Sequence, residues 1–333
     1  MKTTIYDIAK RAGVSAATVS NVLNERGRVG VQTRKKILSI AEELQYLPNM
    51  SASALKGKST YTIGFFVPDV LNPVYMEYLK HAEKQAQELG FSVIMCSTEN
   101  NADQERKLFE IMQQKNVDGF IITAKFRNEE LLKEMQTKQI PTICIGHERP
   151  EFQFDSVAGD DVEAGKIAAN YLLSLGHTNV AIIVEKNSAS SLGRIEGFRS
   201  EFLNQGIKID DSFIIDSQTE LEEIEKTALS LLNSPNRPTA VFGGNDVIAV
   251  GIVQAARHLG LSIPKDISVI GLDDTFLCKI ISPQLTTVSM SITEIGHFVI
   301  NILVDKIERN STKKQAIRFQ PKLVARESVG KVE

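Results

Sequence analysis

The stretch Thr4-Ile5-Tyr6-Asp7-Ile8-Ala9-Lys10-Arg11-Ala12-Gly13-Val14-Ser15-Ala16-Ala17-Thr18-Val19-Ser20-Asn21-Val22-Leu23-Asn24 decides the fold of the amino-terminal end. Ile5, Ile8, Ala9 and Ala12 recur at helical spacing and give a first helix one apolar face. Gly13 supplies a left-handed turn residue at no steric cost. Ser15 stands where a second helix needs a cap, ahead of a buried side made of Val19, Val22 and Leu23. The small side chains of Ala9 and Ala12 let the two helices cross closely. Two helices joined by so tight a turn form a helix-turn-helix, whose chief use is to lay one helix in the major groove of DNA. A third helix, about Gln32 to Leu44, faces inward with Ile37, Ile40, Ala41 and Leu44 and carries Arg34, Lys35 and Lys36 on its first turn. It stops at Tyr46-Leu47-Pro48-Asn49. Asn49 then caps a short segment, Met50 to Lys56, which is too short to stay helical alone in water.

The charge follows the same division. Residues 1–60 hold ten Lys and Arg against four acids, a balance of +6, whereas the whole chain carries −3, which leaves −9 on the rest. A basic head on an acidic body concentrates attraction to phosphate at one end. With 333 residues, the chain exceeds what one core organises, so two or three domains are expected. Neither a charged-then-apolar leader nor an apolar run long enough to cross a bilayer is present in the sequence, so a cytoplasmic protein with no membrane partner is expected. Cys96, Cys144 and Cys278 are odd in number and widely spaced, which fits core thiols rather than a disulfide framework, and no Cys/His spacing suits a metal. No Gly-x-Gly-x-x-Gly follows a strand, and His81, His147, His177, His258 and His297 are scattered. Neither an enzyme nor a cofactor is therefore expected. His177 reads as a turn and packing residue.

From residue 61 the pattern becomes alternating strands and helices. Ile63–Val67, Ser92–Ser97, Phe120–Ile122 and Pro141–Ile145 are strands, with helices near Pro73–Leu89, Gln104–Lys115 and Glu129–Lys138. The pattern restarts with helix Val162–Leu175, strand Val180–Val184, helix Leu192–Asn204 and strand Phe213–Asp216. Helix Leu221–Leu232, strand Ala240–Gly243, helix Asp246–Leu259 and strand Ser268–Leu272 follow. A last helix, Ile292 to Arg309, and short strands near Ile317–Phe319 and Lys322–Ala325 close the chain. Unalternating apolar strands imply parallel sheets covered on both faces. The fold class is therefore α/β, two doubly wound parallel-sheet subdomains behind a small all-α helix-turn-helix domain. Ligands of such sheets bind at the carboxyl ends of strands. Polar residues gather there: Asp69, Asn72 and Tyr75; Asp160 and Asp161; Ser188, Ser190, Ser191 and Arg194; Asn245 and Asp246; Asp273 and Asp274. Asp, Asn and Arg suit a ligand covered in hydroxyls. Any single Asp after a strand reads equally as a helix cap, and Asp246 most of all.

The run Ile5-Tyr6-Asp7-Ile8-Ala9 through Gly13-Val14-Ser15, Thr18-Val19-Ser20, Val22-Leu23-Asn24, Thr33-Arg34 and Tyr46-Leu47-Pro48-Asn49 resembles the headpiece of the lactose/galactose-repressor family of bacterial transcription regulators. The similarity continues through Pro68-Asp69, Val117-Asp118-Gly119, Leu175-Gly176-His177, Gly197-Phe198, Asn245-Asp246 and Asp273-Asp274 to Leu285-Thr286-Thr287, nearly the full chain. It implies a homodimeric repressor on a near-palindromic operator, with a core like periplasmic sugar-binding proteins and three crossovers between lobes. The implied division is a headpiece at 1–48, a hinge helix and linker at 49–60, and a core at 61–333. Within the core, one subdomain takes about 61–159 plus 290–319, the other about 160–289 plus 320–333.

Carried over by position, the resemblance implies base reading by Ala16, Ala17 and Asn21, with Asn21 supplying the hydrogen bonds. Tyr6, Ser15, Thr18, Ser20, Asn24, Thr33 and Arg34 are the implied phosphate contacts, Arg28 reaches a base or phosphate, and Asn49, Ala52 and Leu55 lie in the hinge, with Leu55 wedged in the minor groove. The resemblance marks Arg194, Asn245 and Asp273, with Asp160, as ligands of a small sugar-like effector, and Asn72 and Tyr75 join them from the strand-end pattern. Where the lactose repressor stacks an indole on its sugar, this chain has Thr219, and it has no Trp at all, so Tyr75, Phe66, Phe242 or Phe276 must supply the apolar wall. Two other readings stand beside this one: a catabolite-control regulator governed by a protein coregulator, and a periplasmic-type solute-binding protein. The helix Phe298-Val299-Ile300-Asn301-Ile302-Leu303 lacks the arginine that the first requires, and the basic head argues against the second.

Overall fold

The computed structural model of the chain describes residues 3–23, 28–46, 59–123, 125–146, 149–309 and 313–332. They fall in two compact units, Met1–Thr60 and Tyr61–Glu333.

In the first unit, α1 (Ile5–Ala12), α2 (Ala16–Leu23) and α3 (Val31–Glu43) enclose a core of Ile8, Ala9, Ala12, Val19, Val22, Ile37, Ile40 and Ala41. The backbone N–H and hydroxyl of Thr4 both donate to the Asp7 carboxylate at the start of α1. Those bonds hold the Asp7 carboxyl below its usual range. Gly13 ends the helix in the left-handed region at φ 72°, a conformation that costs glycine nothing. The Ser15 hydroxyl accepts the Thr18 N–H at 3.1 Å and caps α2. An exposed Arg11–Glu43 ion pair ties α1 to α3.

The second unit holds two six-stranded sheets of one design. In chain order its elements begin β1 (Thr62–Val67), α4 (Pro73–Glu88), β2 (Ser92–Ser97), α5 (Ala102–Gln114), β3 (Gly119–Thr123), α6 (Glu129–Thr137), β4 (Thr142–Ile145) and β5 (Asp155–Gly159). The second lobe follows with α7 (Asp161–Ser174), β6 (Val180–Glu185), α8 (Ala189–Asn204), β7 (Ile214–Ser217), α9 (Leu221–Leu232), β8 (Ala240–Gly243), α10 (Asp246–His258), β9 (Ser268–Asp273), α11 (Leu277–Ile280) and β10 (Thr286–Ser289). The tail is α12 (Ile292–Arg309), β11 (Ala316–Phe319) and β12 (Lys322–Val324). Strand orders are β2-β1-β3-β4-β5-β11 and β7-β6-β8-β9-β10-β12, parallel throughout except for β10 against β12. The chain passes between the lobes after β5, after β10 and between β11 and β12.

Two strands escape the sequence pattern, and both are polar strands that the fold satisfies. β5 opens on buried Asp155, whose carboxylate pairs with Lys306 at 2.5 Å and accepts the Gln315 N–H at 2.7 Å. β10 carries Thr286 and Thr287, both fully buried; Thr287 donates its hydroxyl to Asp246 and the Thr286 N–H is taken by Ser328. Nothing local in the sequence announces those partners. Edge strand β2 alternates between exposed and half-buried, unlike the inner strands.

Close helix packing sets the geometry of the second lobe. α7 and α8 cross at Gly165 and Gly197: a Cβ on Gly197 would stand 1.9 Å from the Val162 carbonyl oxygen, and one on Gly165 2.2 Å from that of Arg194. This backbone-to-backbone approach brings Asp161, at the start of α7, against Arg194 on α8.

Candidate functional site

Parallel strands direct their carboxyl ends and the following helix starts to one edge of each sheet, and in the second unit residues at these two edges line the walls of one cleft. Its main chamber has a volume of about 650 Å³ and adjoins a smaller one of about 80 Å³. On the second lobe, Arg194 donates from Nε to Asp161 at 2.8 Å and from Nη1 to the Gly244 carbonyl at 2.5 Å. Both bonds orient the guanidinium toward the small chamber, which it lines with Asp273 and Asn245. Asp273 is 7% exposed, and its carboxylate takes no hydrogen bond from the described residues. Burial pushes its carboxyl well above the usual range, against the pull of Arg194. Its backbone sits at φ 115°, a conformation of the kind that persists where the surrounding structure over-determines it. Asn245 caps α10 by accepting the Ile248 N–H, and the residue lines both chambers.

The first lobe contributes Asn72 and Tyr75 to both chambers. Asn72 also caps α4 through Val74 N–H. Burial, then the charges of Glu185 and Asp273, keeps the Tyr75 phenol neutral. Among the described residues, an ion pair of Lys125 with Glu185, both largely buried, and a bond from the Phe276 N–H to Glu77 at 2.8 Å span the lobes. Neither Lys125 nor Glu185 stands out in the sequence pattern. Lys125 follows β3 and Glu185 ends β6, so the strand-end rule that flagged Asp69 and Asp273 reaches them too.

Several expectations are corrected. Asp160 is the cap of α7, accepting the Glu163 N–H at 3.0 Å, and Asp161 beside it holds Arg194 instead. Asp246 is no cap; that place is taken by Asn245. Asp246 is buried and accepts the Thr275 N–H and the hydroxyls of Thr275 and Thr287. Phe66 and Phe242 are buried in the cores of their lobes, which leaves Tyr75 and Phe276 on the cleft wall. Thr219 lines the main chamber. Asp274 is committed to Arg326 at 2.5 Å. His177, by contrast, is the packing residue expected, bridging Thr239 and the Gly330 carbonyl.

Burial pushes the Asp246 carboxyl up to about 6. A carboxyl whose folded pKa lies above its unfolded value stabilises the fold in its protonated form. That contribution is complete below about pH 4 and is lost as the pH rises through the folded pKa. Asp246→Asn removes it, so the variant should gain about 2–3 kcal/mol on the wild type between pH 4 and 7. Urea midpoints at the two pH values measure this; a constant difference would contradict the assignment.

In the first unit, α2 turns Ala17 and Asn21, four residues apart, to solvent on one face. Ser15 and Arg28 are exposed, and Tyr6 is 72% exposed. Thr18, Ser20, Thr33 and Arg34 are half-buried. Ala16 is half-buried and packs against the three-helix core. Asn24, Asn49, Ala52, Leu55 and the expected hinge helix lie outside the described residues, as do His147 and Glu148. Among the described residues, no helix is long and apolar enough to cross a membrane, and no cluster of His, Cys, Asp and Glu is placed to hold a metal.

Residues 4–49 match the model for bacterial regulatory proteins of the lacI family, and residues 169–329 that for a periplasmic binding protein-like domain. The HTH-type transcriptional regulator DegA of Bacillus subtilis is 42% identical over 333 residues, with 98% of each chain covered. The HTH-type transcriptional repressor PurR of Proteus mirabilis is 33% identical, covering 98% of this chain and 96% of its own. Among solved structures, a LacI family regulator from Enterococcus faecium with bound ribose superposes with a TM-score of 0.74 at 29% identity, covering 82% of this chain and all of that one. The lac repressor dimer bound to operator and the anti-inducer ONPF gives a TM-score of 0.88 at 24% identity over 99% of this chain and all of that one, a likeness of fold.

Proposed function

The chain belongs to the lacI family of bacterial regulatory proteins and is a DNA-binding transcriptional regulator, and from that premise we propose a homodimeric, cytoplasmic repressor whose operator affinity is set by a sugar-like molecule in the cleft of residues 61–333. Residues 1–48 are the DNA-reading headpiece in this reading, and 49–60 join it to the core. Two headpieces held at a fixed spacing call for a near-palindromic operator with half-sites about ten base pairs apart. The sites are read as binding sites, not catalytic ones, in keeping with the regulators to which the chain is similar.

One observation carries the effector reading. Arg194, Asp273 and Asn245 line the same small chamber from one lobe as Asn72, Tyr75 and Lys125 do from the other. The planar groups of Asp, Asn and Arg each satisfy adjacent hydroxyls, as a sugar requires. A ligand held by both lobes favours the lobe arrangement in which both sets of contacts form. It changes DNA affinity only through that preference, and DNA changes ligand affinity by the same factor. The Lys125–Glu185 and Glu77–Phe276 contacts are the interactions between lobes on which such a ligand acts.

A thermal-shift screen of sugars, sugar acids, sugar phosphates and nucleobases tests this. A true effector at a hundred times its Kd adds about 2.7 kcal/mol, a rise on the order of 5 °C; no stabilisation by any class contradicts the cleft reading. For the headpiece, Asn21→Ala should reduce discrimination between operator variants by about tenfold or more and keep salt-dependent nonspecific binding. Unchanged discrimination in a competition assay would remove Asn21 from base readout.

A further inference from the structure

At the edge of the cleft where β2 and β7 end lies a third compartment of about 180 Å³, lined from the first lobe by Asn100 and Arg127 and from the second by Glu185, Lys186, Asn187 and Ser217–Thr219. Asn100 and Thr219 also line the main chamber, so the two spaces share walls. We propose that this annex binds an anionic oxygen group, a carboxylate or a phosphate, carried by the polyhydroxylated effector whose body lies against Arg194, Asn245 and Asp273. The inference rests on the cleft reading and narrows it to acidic sugars.

Three features support it. Ser217 is 3% exposed, and its hydroxyl has no hydrogen-bond partner; the buried Oδ1 of Asn100 has none either. Buried polar atoms left unpaired are costly, and both residues line this compartment: the Ser217 hydroxyl can donate to an anionic oxygen, and the Asn100 Oδ1, an acceptor, takes a hydroxyl of the same ligand or a water. The charge is one-sided. Arg127 and Lys186 form no ion pair among the described residues, while the acid beside them, Glu185, is already paired with Lys125. Solvated surface cations are ordinary, but these two flank unsatisfied buried groups in a space that adjoins the effector cleft. The loop that carries Arg127 is also fixed in advance. The fully buried carboxylate of Glu105 accepts the backbone N–H of Arg127 at 3.0 Å and that of Asn128 at 2.7 Å, which limits the ordering required when a ligand arrives.

Titration calorimetry on the full-length protein, with the neutral sugar, the uronate and the 6-phosphate of glucose, galactose and mannose, tests the assignment. In at least one set the anionic member should bind about tenfold tighter than the neutral one, and whether uronate or phosphate does so identifies the group. The Arg127→Gln/Lys186→Gln double variant should lose that advantage and bind the neutral sugar as before. Ser217→Ala, which deletes an unpaired hydroxyl, should leave Tm unchanged or raised while weakening the anionic member. The proposal is overturned if neutral and anionic members bind alike, if the double variant keeps the preference, or if no anionic member binds at millimolar concentration. Neutral sugars that bind, and are lost in Asp273→Ala, would leave the cleft reading standing without the annex; no binding by any member would overturn the annex, and the cleft reading falls with it only when the thermal-shift screen is empty too.

Discussion

Asp273→Ala is expected to weaken effector binding by 100-fold or more and to leave operator binding in its absence within about twofold of wild type. The carboxylate lines the small chamber with no bond to the rest of the described protein, so its hydrogen-bonding capacity is available to a ligand. Removing the carboxyl leaves buried ligand hydroxyls without partners, which for two of them costs about 3 kcal/mol or more in all, a factor of a hundred or more. Asp273→Asn keeps one acceptor, and asparagine tolerates positive φ better than alanine does, so it should fall between the two. Calorimetry for ligand and fluorescence anisotropy for operator separate the effects. A variant that responds to effector like wild type would move the site away from Asp273.

Gly197→Ala should be the most disruptive of small substitutions. The added carbon would meet the Val162 carbonyl oxygen at 1.9 Å, and backbone cannot step aside as a side-chain tip can. Overpacking of this kind costs about 3 kcal/mol, a loss in Tm on the order of 10 °C for a unit of this size. The damage extends to function. Arg194 lies one turn away on the same helix, and its bond to Asp161 requires α7 and α8 at their present separation. Ligand affinity should therefore fall even at temperatures where the variant stays folded. A Tm within about 2 °C of wild type would show that the helices separate easily, and would weaken the account of how Arg194 is placed.

How much of this was legible depends on where each signal is stored. The helix-turn-helix was readable because its information is local: apolar spacing, Gly13 and the Ser15 cap lie within a few residues of one another. The inner strands were readable because burial on both faces leaves an unbroken apolar run. β5 and β10 were not, since Asp155 and Thr286 are buried only because Lys306 and Ser328 arrive from far along the chain. Asn245 and Asp246 exchanged roles for a related reason. A boundary shift of one residue decides which side chain caps a helix, and Asp246 finds its partners on Thr275 and Thr287. Phe66 could not be assigned from the run Phe65-Phe66, where successive side chains enter opposite cores. Lys125 and Glu185 lie 60 residues apart, and only the facing of two lobes makes them a pair. Placing Arg194, Asn245 and Asp273 near one another at strand ends was within reach of the sequence; telling Asp160 from Asp161 was not.

The central claim is that ligand in the cleft controls sequence-specific DNA binding. The most direct test is selection of binding sites from random duplex DNA by the full-length protein, with and without an effector found by thermal shift. The account predicts enrichment of a near-palindrome with half-sites about one helical turn apart that differs with and without effector for wild type and does not differ for Asp273→Ala. Enrichment of no sequence in either condition, or the same enrichment with and without saturating effector, would contradict it.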